Sequence, residues 1–177
     1  SGLLGRMFPE FQKIYCRVIR DFYHKYTVDE HTLLAIRNLQ SLCDPATRSR
    51  RRFADLLAEL PSPELIVLAL MFHDVGKWTN KNHAEESVRM ALGALRRIKL
   101  PERDVKTVEF LIRHHLKMSV AAFRRDMEDP EVVKQFARLV GTEQRLKMLC
   151  LLTMADLEAV GPDVLTPWKD ELLWRLY

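Results

Sequence analysis

Apolar positions recur close to every 3.6 residues along nearly the whole chain, the period of a helix that packs by one face. Phe11, Ile14, Tyr15, Val18, Ile19, Phe22 and Tyr26 form such a stripe behind Pro9, a residue favoured at helix starts, and predict a first helix. Thr27-Val28-Asp29-Glu30 has the form of a capping box and predicts a second helix with His31 in its first turn. The basic segment 48–52 leads into a third, ending near Leu60. Pro61-Ser62-Pro63 breaks the chain, with Ser62 as N-cap and Pro63 at the first helical position. The longest apolar run, 65–72, is short enough for a strand. Its start signal and the lack of an alternating neighbour predict instead a helix buried all round, ending in His73-Asp74. Asn82-His83-Ala84-Glu85 caps a helix to about Ile98, and Pro101 opens one through Val105, Val108, Leu111, Ile112 and His115. Asp129-Pro130 starts a helix closed by Gly141, Thr142 one through Leu146, Leu149, Leu152 and Asp156 to Gly161-Pro162, and Thr166-Pro167 the last. The sum is an all-α bundle of about eight or nine helices with no confident strand.

Composition narrows this to one unit. The chain has 177 residues, 47% of them hydrophobic and 29% charged, which fits a single domain over 1–177 with a sizeable core of its own. Ser1-Gly2 reads as a cloning remnant. Mean hydropathy is −0.17, and charges interrupt every apolar run well short of the ~20 residues a bilayer span needs, so no membrane partner is expected. No basic, then apolar, opening segment suggests secretion. Cys16, Cys43 and Cys150 are odd in number and form no C-x-x-C pair, which predicts reduced thiols in a cytoplasm. A net charge of +4 favours anionic ligands without requiring nucleic acid.

The candidate chemistry lies in the histidines. His31, His73, His83, His114 and His115 fall at the starts, ends or apolar faces of predicted helices, and only His24 looks incidental. Asp156 shares a stripe with Leu149 and Leu152, where a carboxylate without a cation costs several kcal/mol to bury. Imidazole nitrogens with carboxylate oxygens suit borderline divalent ions, and helices that each present one or two groups fix such ligands rigidly. One such histidine is ordinarily a hydrogen-bonded core residue. The ordered set His31, His73-Asp74, His83, His114-His115, Asp156 points to a metal centre.

That order, H…HD…H…H…D, resembles the HD superfamily of metal-dependent phosphohydrolases, and His73-Asp74-Val75-Gly76-Lys77 resembles its HDxGK form. Longer words are narrower. Tyr26-Thr27-Val28-Asp29-Glu30-His31-Thr32, Arg113-His114-His115-Leu116-Lys117-Met118-Ser119, Arg124-Arg125-Asp126 with Asp129-Pro130-Glu131-Val132, and Trp168-Lys169 with Leu172-Leu173 and Leu176-Tyr177 are similar to the HD domain of bifunctional PII uridylyltransferase/uridylyl-removing enzymes. In that family the HD domain accompanies a nucleotidyltransferase domain and glutamine-sensing ACT domains. This chain carries neither pattern and resembles the excised hydrolytic part. Two stretches depart from the family: Trp78-Thr79-Asn80-Lys81-Asn82 replaces a glycine-rich loop, and Ala122-Phe123 a more polar pair.

The resemblance implies a phosphodiester hydrolase that releases UMP from a uridylylated tyrosine of the PII nitrogen-signalling protein. His31, His73, Asp74 and Asp156 would hold one divalent ion (Mn, Fe, Zn, Co or Mg), and Asp74 would bridge to a second completed by His83 and His115, with His114 a further candidate. Lys77 would meet a phosphate oxygen, and Arg124 and Arg125 the phosphodiester or an acidic surface of PII. An HD-type nucleotidase or dNTP phosphohydrolase acting on free nucleotides would use the same centre. A non-catalytic helical docking or relay module would need neither metal nor turnover.

Overall fold

The computed structural model describes residues 2–18, 25–44, 48–79 and 82–177. Helices α1 (Gly2–Met7), α2 (Pro9–Gln12), α3 (Val28–Gln40), α4 (Arg48–Ala58), α5 (Glu64–Phe72), α6 (His83–Arg97), α7 (Glu102–His114), α8 (Lys117–Arg124), α9 (Pro130–Val140), α10 (Glu143–Val160) and α11 (Pro167–Leu176) account for most of them. Among the described residues there is no strand, and 3-10 turns occupy Ser41–Cys43 and Val75–Trp78. No helix is long and apolar enough to cross a membrane. All three cysteines are free, Cys16 and Cys43 at the surface and Cys150 in the core.

The bundle is organised around α10, which packs against α3, α4, α5 and α7. Its middle, from Met148 to Ala155, is buried without interruption, so it is apolar on all sides where the sequence stripe marked one face. The run at 65–72 is the helix α5, with Leu65, Ile66, Ala69, Leu70, Met71 and Phe72 buried. Asn38 Nδ2 donates to the Ala155 carbonyl at 3.3 Å and sets the register between α3 and α10.

The longer helices follow the expected pattern, and the start signals vary in how they act. Asp129 accepts the Glu131 amide, Thr142 that of Arg145 and Thr166 that of Lys169, as N-caps should. Thr27 and Asn82 precede α3 and α6 without making side-chain cap bonds. Asp29, which is not the box's third residue, accepts from the Cys16 amide, and Glu85, the acidic third residue of α6, pairs with Arg113. Helix α5 starts one residue later than expected, with Pro63 in the capping position.

The predicted first helix is corrected. After α2 the chain passes through turns to Cys16, whose φ of 52° cannot continue a right-handed helix. The Val28 amide bonds the Arg17 carbonyl at 2.9 Å, so this segment folds back onto the start of α3. Phe11 and Ile14 are buried, but Tyr15 and Val18 are exposed, and the single stripe is broken. Ile19, Phe22 and His24 lie outside the described residues. Helices α1 and α8 were not expected as separate elements. Ala122 is buried and Phe123 partly so, on α8, which packs against α11; the apolar pair is part of that contact.

Candidate metal centre

Most of the candidate ligands sit at helix ends, where the chain leaves one axis and the side chain reaches across to the next. His31 is in the first turn of α3, His73 and Asp74 follow the last turn of α5, His83 opens α6 and His115 caps α7. Asp156 comes from within α10. His31, His73, Asp74 and His115 are all at most 2% exposed.

The side chains form two groups that share Asp74. In the first, His31 Nε2 is 2.8 Å from Asp156 Oδ1 and 3.7 Å from Asp74 Oδ2. His73 Nε2 is 3.3 Å from Asp74 Oδ2 and 3.4 Å from Asp156 Oδ1. In the second, Asp74 Oδ1 is 3.8 Å from His83 Nε2 and 4.0 Å from His115 Nε2, and those two nitrogens are 3.3 Å apart. Each oxygen of Asp74 thus faces a different cluster of imidazoles.

These donors fit divalent ions. Ligands about 2.1 Å from a common ion stand about 3.0 to 3.4 Å apart at tetrahedral or right-angle geometry, a range that contains the two His73 separations and the His83–His115 one, with the others between 2.8 and 4.0 Å. The Nδ1 atoms of His73 and His115 lie 2.7 Å from the carbonyl oxygens of Leu70 and Ile112. A carbonyl only accepts, so both Nδ1 atoms carry protons and each Nε2 is turned inward, where it could serve a metal. His73 Nε2 and Asp74 Oδ1 are buried without a hydrogen-bond partner, a costly arrangement that a cation relieves. Nitrogen and oxygen donors without thiolate suit Mn, Fe, Zn or Co.

Electrostatics without an ion show the same tension. Burial pushes the His73 imidazolium towards losing its proton, but the carboxylates of Asp74 and Asp156 outweigh it and raise the pKa to about 10. Burial raises the carboxyl groups of Asp74 and Asp156, and the surrounding imidazoles, with Lys77 beside Asp74, bring both well below the usual range. His115 moves the other way, to about 4, through burial and the charge on His73. The pocket holds two carboxylates and calls for positive charge at its centre.

The remaining candidates lie further out. Lys77 Nζ is 2.7 Å from Asp74 Oδ2, at the edge of the cluster. His114 lies outside both groups: its ring packs on Phe110 at 4.9 Å, in a cleft of about 400 Å³ that His83, His115 and Lys117 also line. Successive residues of a helix diverge by about 100°, so only one of the two adjacent histidines points inward. Arg124 and Arg125 are exposed at the end of α8, Arg125 in a second cleft that also includes Lys117. Sequence reasoning missed the roles of Arg50 and Ser87. Arg50 bonds Glu158 at 2.6 and 2.7 Å, beside the Asp156 turn of α10. Ser87 is buried against the HDxGK turn.

A profile of the HD domain matches residues 28–156, which spans every candidate ligand of both groups. The chain belongs to the HD domain family. This HD domain is also 41% identical to bifunctional uridylyltransferase/uridylyl-removing enzymes of Stutzerimonas stutzeri (strain A1501) and Azotobacter vinelandii, and 38% identical to that of Methylococcus capsulatus. In each case 177 residues align, 99% of this chain and 20% of the relative. The HD domain thus spans about a fifth of the length of these curated relatives. Its His/Asp arrangement is that of a metal-dependent phosphohydrolase.

Proposed function

We propose that the domain is a uridylyl-removing phosphodiesterase, hydrolysing the bond between UMP and a tyrosine of the PII signalling protein in the cytoplasm. The observation that carries this reading is the extent of the likeness. The HD profile stops at 28–156, whereas similarity to the uridylyl-removing enzymes covers 99% of the chain, including α1, α2 and α11 outside that core. Hydrolysis of a free nucleotide would not require those flanks. Nucleotidyltransferase and ACT domains would belong to a longer protein of which this is one part.

In this proposal His31, His73, Asp74 and Asp156 hold one divalent ion, and Asp74, His83 and His115 a second. Such ions supply a water acidified from a pKa of about 15.7 towards about 7 and neutralise phosphoryl oxygens. The chain does the rest. Asp74 keeps the two groups in fixed relation because its two oxygens belong to one planar carboxylate. Lys77, its side chain 16% exposed, carries an ammonium at the edge of the cluster, where a phosphoryl oxygen of the substrate would meet it. The departing tyrosine phenolate has a conjugate acid of pKa about 10, so it leaves with less protonation than an alkoxide needs. Lys117 lines both the ligand-side cleft and the one that includes Arg125, so a cationic path leads outward from the cluster. Arg125 lies along it and, with its exposed neighbour Arg124, would take the phosphate or an acidic face of PII.

Turnover of uridylylated PII, of bis-p-nitrophenyl phosphate and of a panel of nucleotides tests the reading, together with elemental analysis. The expected outcome is bound divalent metal and release of UMP from PII, with Asp74→Ala inactive on every ester. Preferential hydrolysis of a free nucleotide would replace this reading with a nucleotidase. Absence of metal and turnover after metal is restored would leave a docking module.

A further inference from the structure

The second ligand group joins two elements that the intervening loop is not needed to align. Asp74 precedes the 3-10 turn Val75–Trp78, and His83 begins α6. That turn and the start of α6 are packed directly together at Gly76. A Cβ on Gly76 would stand 2.2 Å from the His83 carbonyl oxygen, 2.6 Å from the Ser87 amide nitrogen and 2.9 Å from Ser87 Oγ. Two of these atoms are backbone and cannot swing aside. The absence of a side chain is therefore what allows the turn to lie on the first turn of α6.

A buried hydrogen bond joins the two at that point. The Gly76 amide donates to Ser87 Oγ at 2.9 Å, and both residues are buried, Ser87 completely. Ser87 is one helical turn beyond His83, so its hydroxyl reports the position of the same turn that carries the imidazole. We propose that Gly76 and Ser87 form a clasp that sets the distance between Asp74 and His83, and that Ser87 is a positioning residue for the second ion only. The first group shares Asp74 but draws its other side chains from α3, the end of α5 and α10, and none of its members lies on α6. The inference rests on the two-ion reading of the site given above.

Ser87→Ala removes the acceptor and substitutes a better helix former, which keeps α6 intact. Chelator-stripped protein titrated with Mn²⁺, with free ion counted by electron paramagnetic resonance, should show the tighter equivalent unchanged. The second should bind about tenfold or more weakly, the usual scale for loss of a residue supporting a ligand. Ser87→Thr keeps the oxygen and should restore the second equivalent. Should the alanine variant not fold, Ser87→Cys, with a poor acceptor in similar volume, bears the same comparison. A second readout needs no metal: the His83 and His115 rings, whose Nε2 atoms are 3.3 Å apart, should give a nuclear Overhauser contact that Ser87→Ala loses. Unchanged binding of both equivalents, or equal loss of both, overturns the clasp. If the unmodified protein takes up a single equivalent, the two-ion reading fails, and the ring contact alone decides: retained in Ser87→Ala, it overturns the clasp; lost, it upholds it.

Discussion

In the proposed centre a proton and a metal ion would compete for His73. Without an ion the imidazole sits against two carboxylates and stays protonated up to about pH 10, while His115 stays neutral down to about pH 4. A ligating nitrogen must be bare, so at pH 7 uptake of the first ion should expel about one proton, that of His73. Calorimetric titration with Mn²⁺ in buffers of different ionisation enthalpy measures that number, and a value near zero would mean that His73 is neutral beforehand. The metal-free protein has a matching pH profile. His73, with its folded pKa raised, adds stability that is complete below about pH 6.5, the usual value for histidine, and is lost as pH rises towards 10. His115, with its folded pKa lowered, adds stability that is complete above about pH 6.5 and is lost as pH falls towards 4. Thermal melts of chelated protein should therefore peak near pH 6.5. A midpoint still climbing at pH 9 would contradict the charge assignment.

Helix ends decide how well each element can be foreseen. Where a small polar side chain has only local partners, the expected cap forms: Asp129 at α9 and Thr142 at α10 both accept the amides that the pattern assigns to them. Where a tertiary partner competes, the local signal yields, as when Glu85, the acidic third residue of α6, turns to Arg113. The same competition ended the predicted first helix, because periodicity over 11–26 carries no information about a chain reversal at Cys16. The convergence of these His and Asp side chains was legible because such residues are rare on an apolar stripe. The different placement of His114 and His115 was legible too, because His115 shares the stripe of Val108, Leu111 and Ile112 and its neighbour, about 100° round the helix, does not. Asp129→Ala should cost about 1 kcal/mol, the ordinary worth of an N-cap, and leave hydrolysis unchanged, since α9 contributes no ligand. Urea denaturation beside an ester assay checks both halves. A fall in turnover would tie α9 to the substrate.

The candidate ligands also tie the molecule together. His31 and Asp156 are 125 positions apart and meet at 2.8 Å, and α3, α5, α6, α7 and α10 all end or pass at the cluster. An ion bound there exists only when these helices are docked, so its binding energy adds to folding. At one hundred times the dissociation constant that contribution is about 2.7 kcal/mol. For a chain of this size each kcal/mol moves the melting point by about 2 to 4 °C, so stripping the metal should lower it by about 5 to 10 °C. Asp74 belongs to both groups, so Asp74→Ala should abolish that response: its melting point should be the same with chelator and with Mn²⁺. His83→Ala touches only the second group and should retain part of the shift. The two variants separate a shared centre from two independent sites. If Asp74→Ala still gains the full 5 to 10 °C from Mn²⁺, the ion binds elsewhere, and Asp74 does not join the two groups.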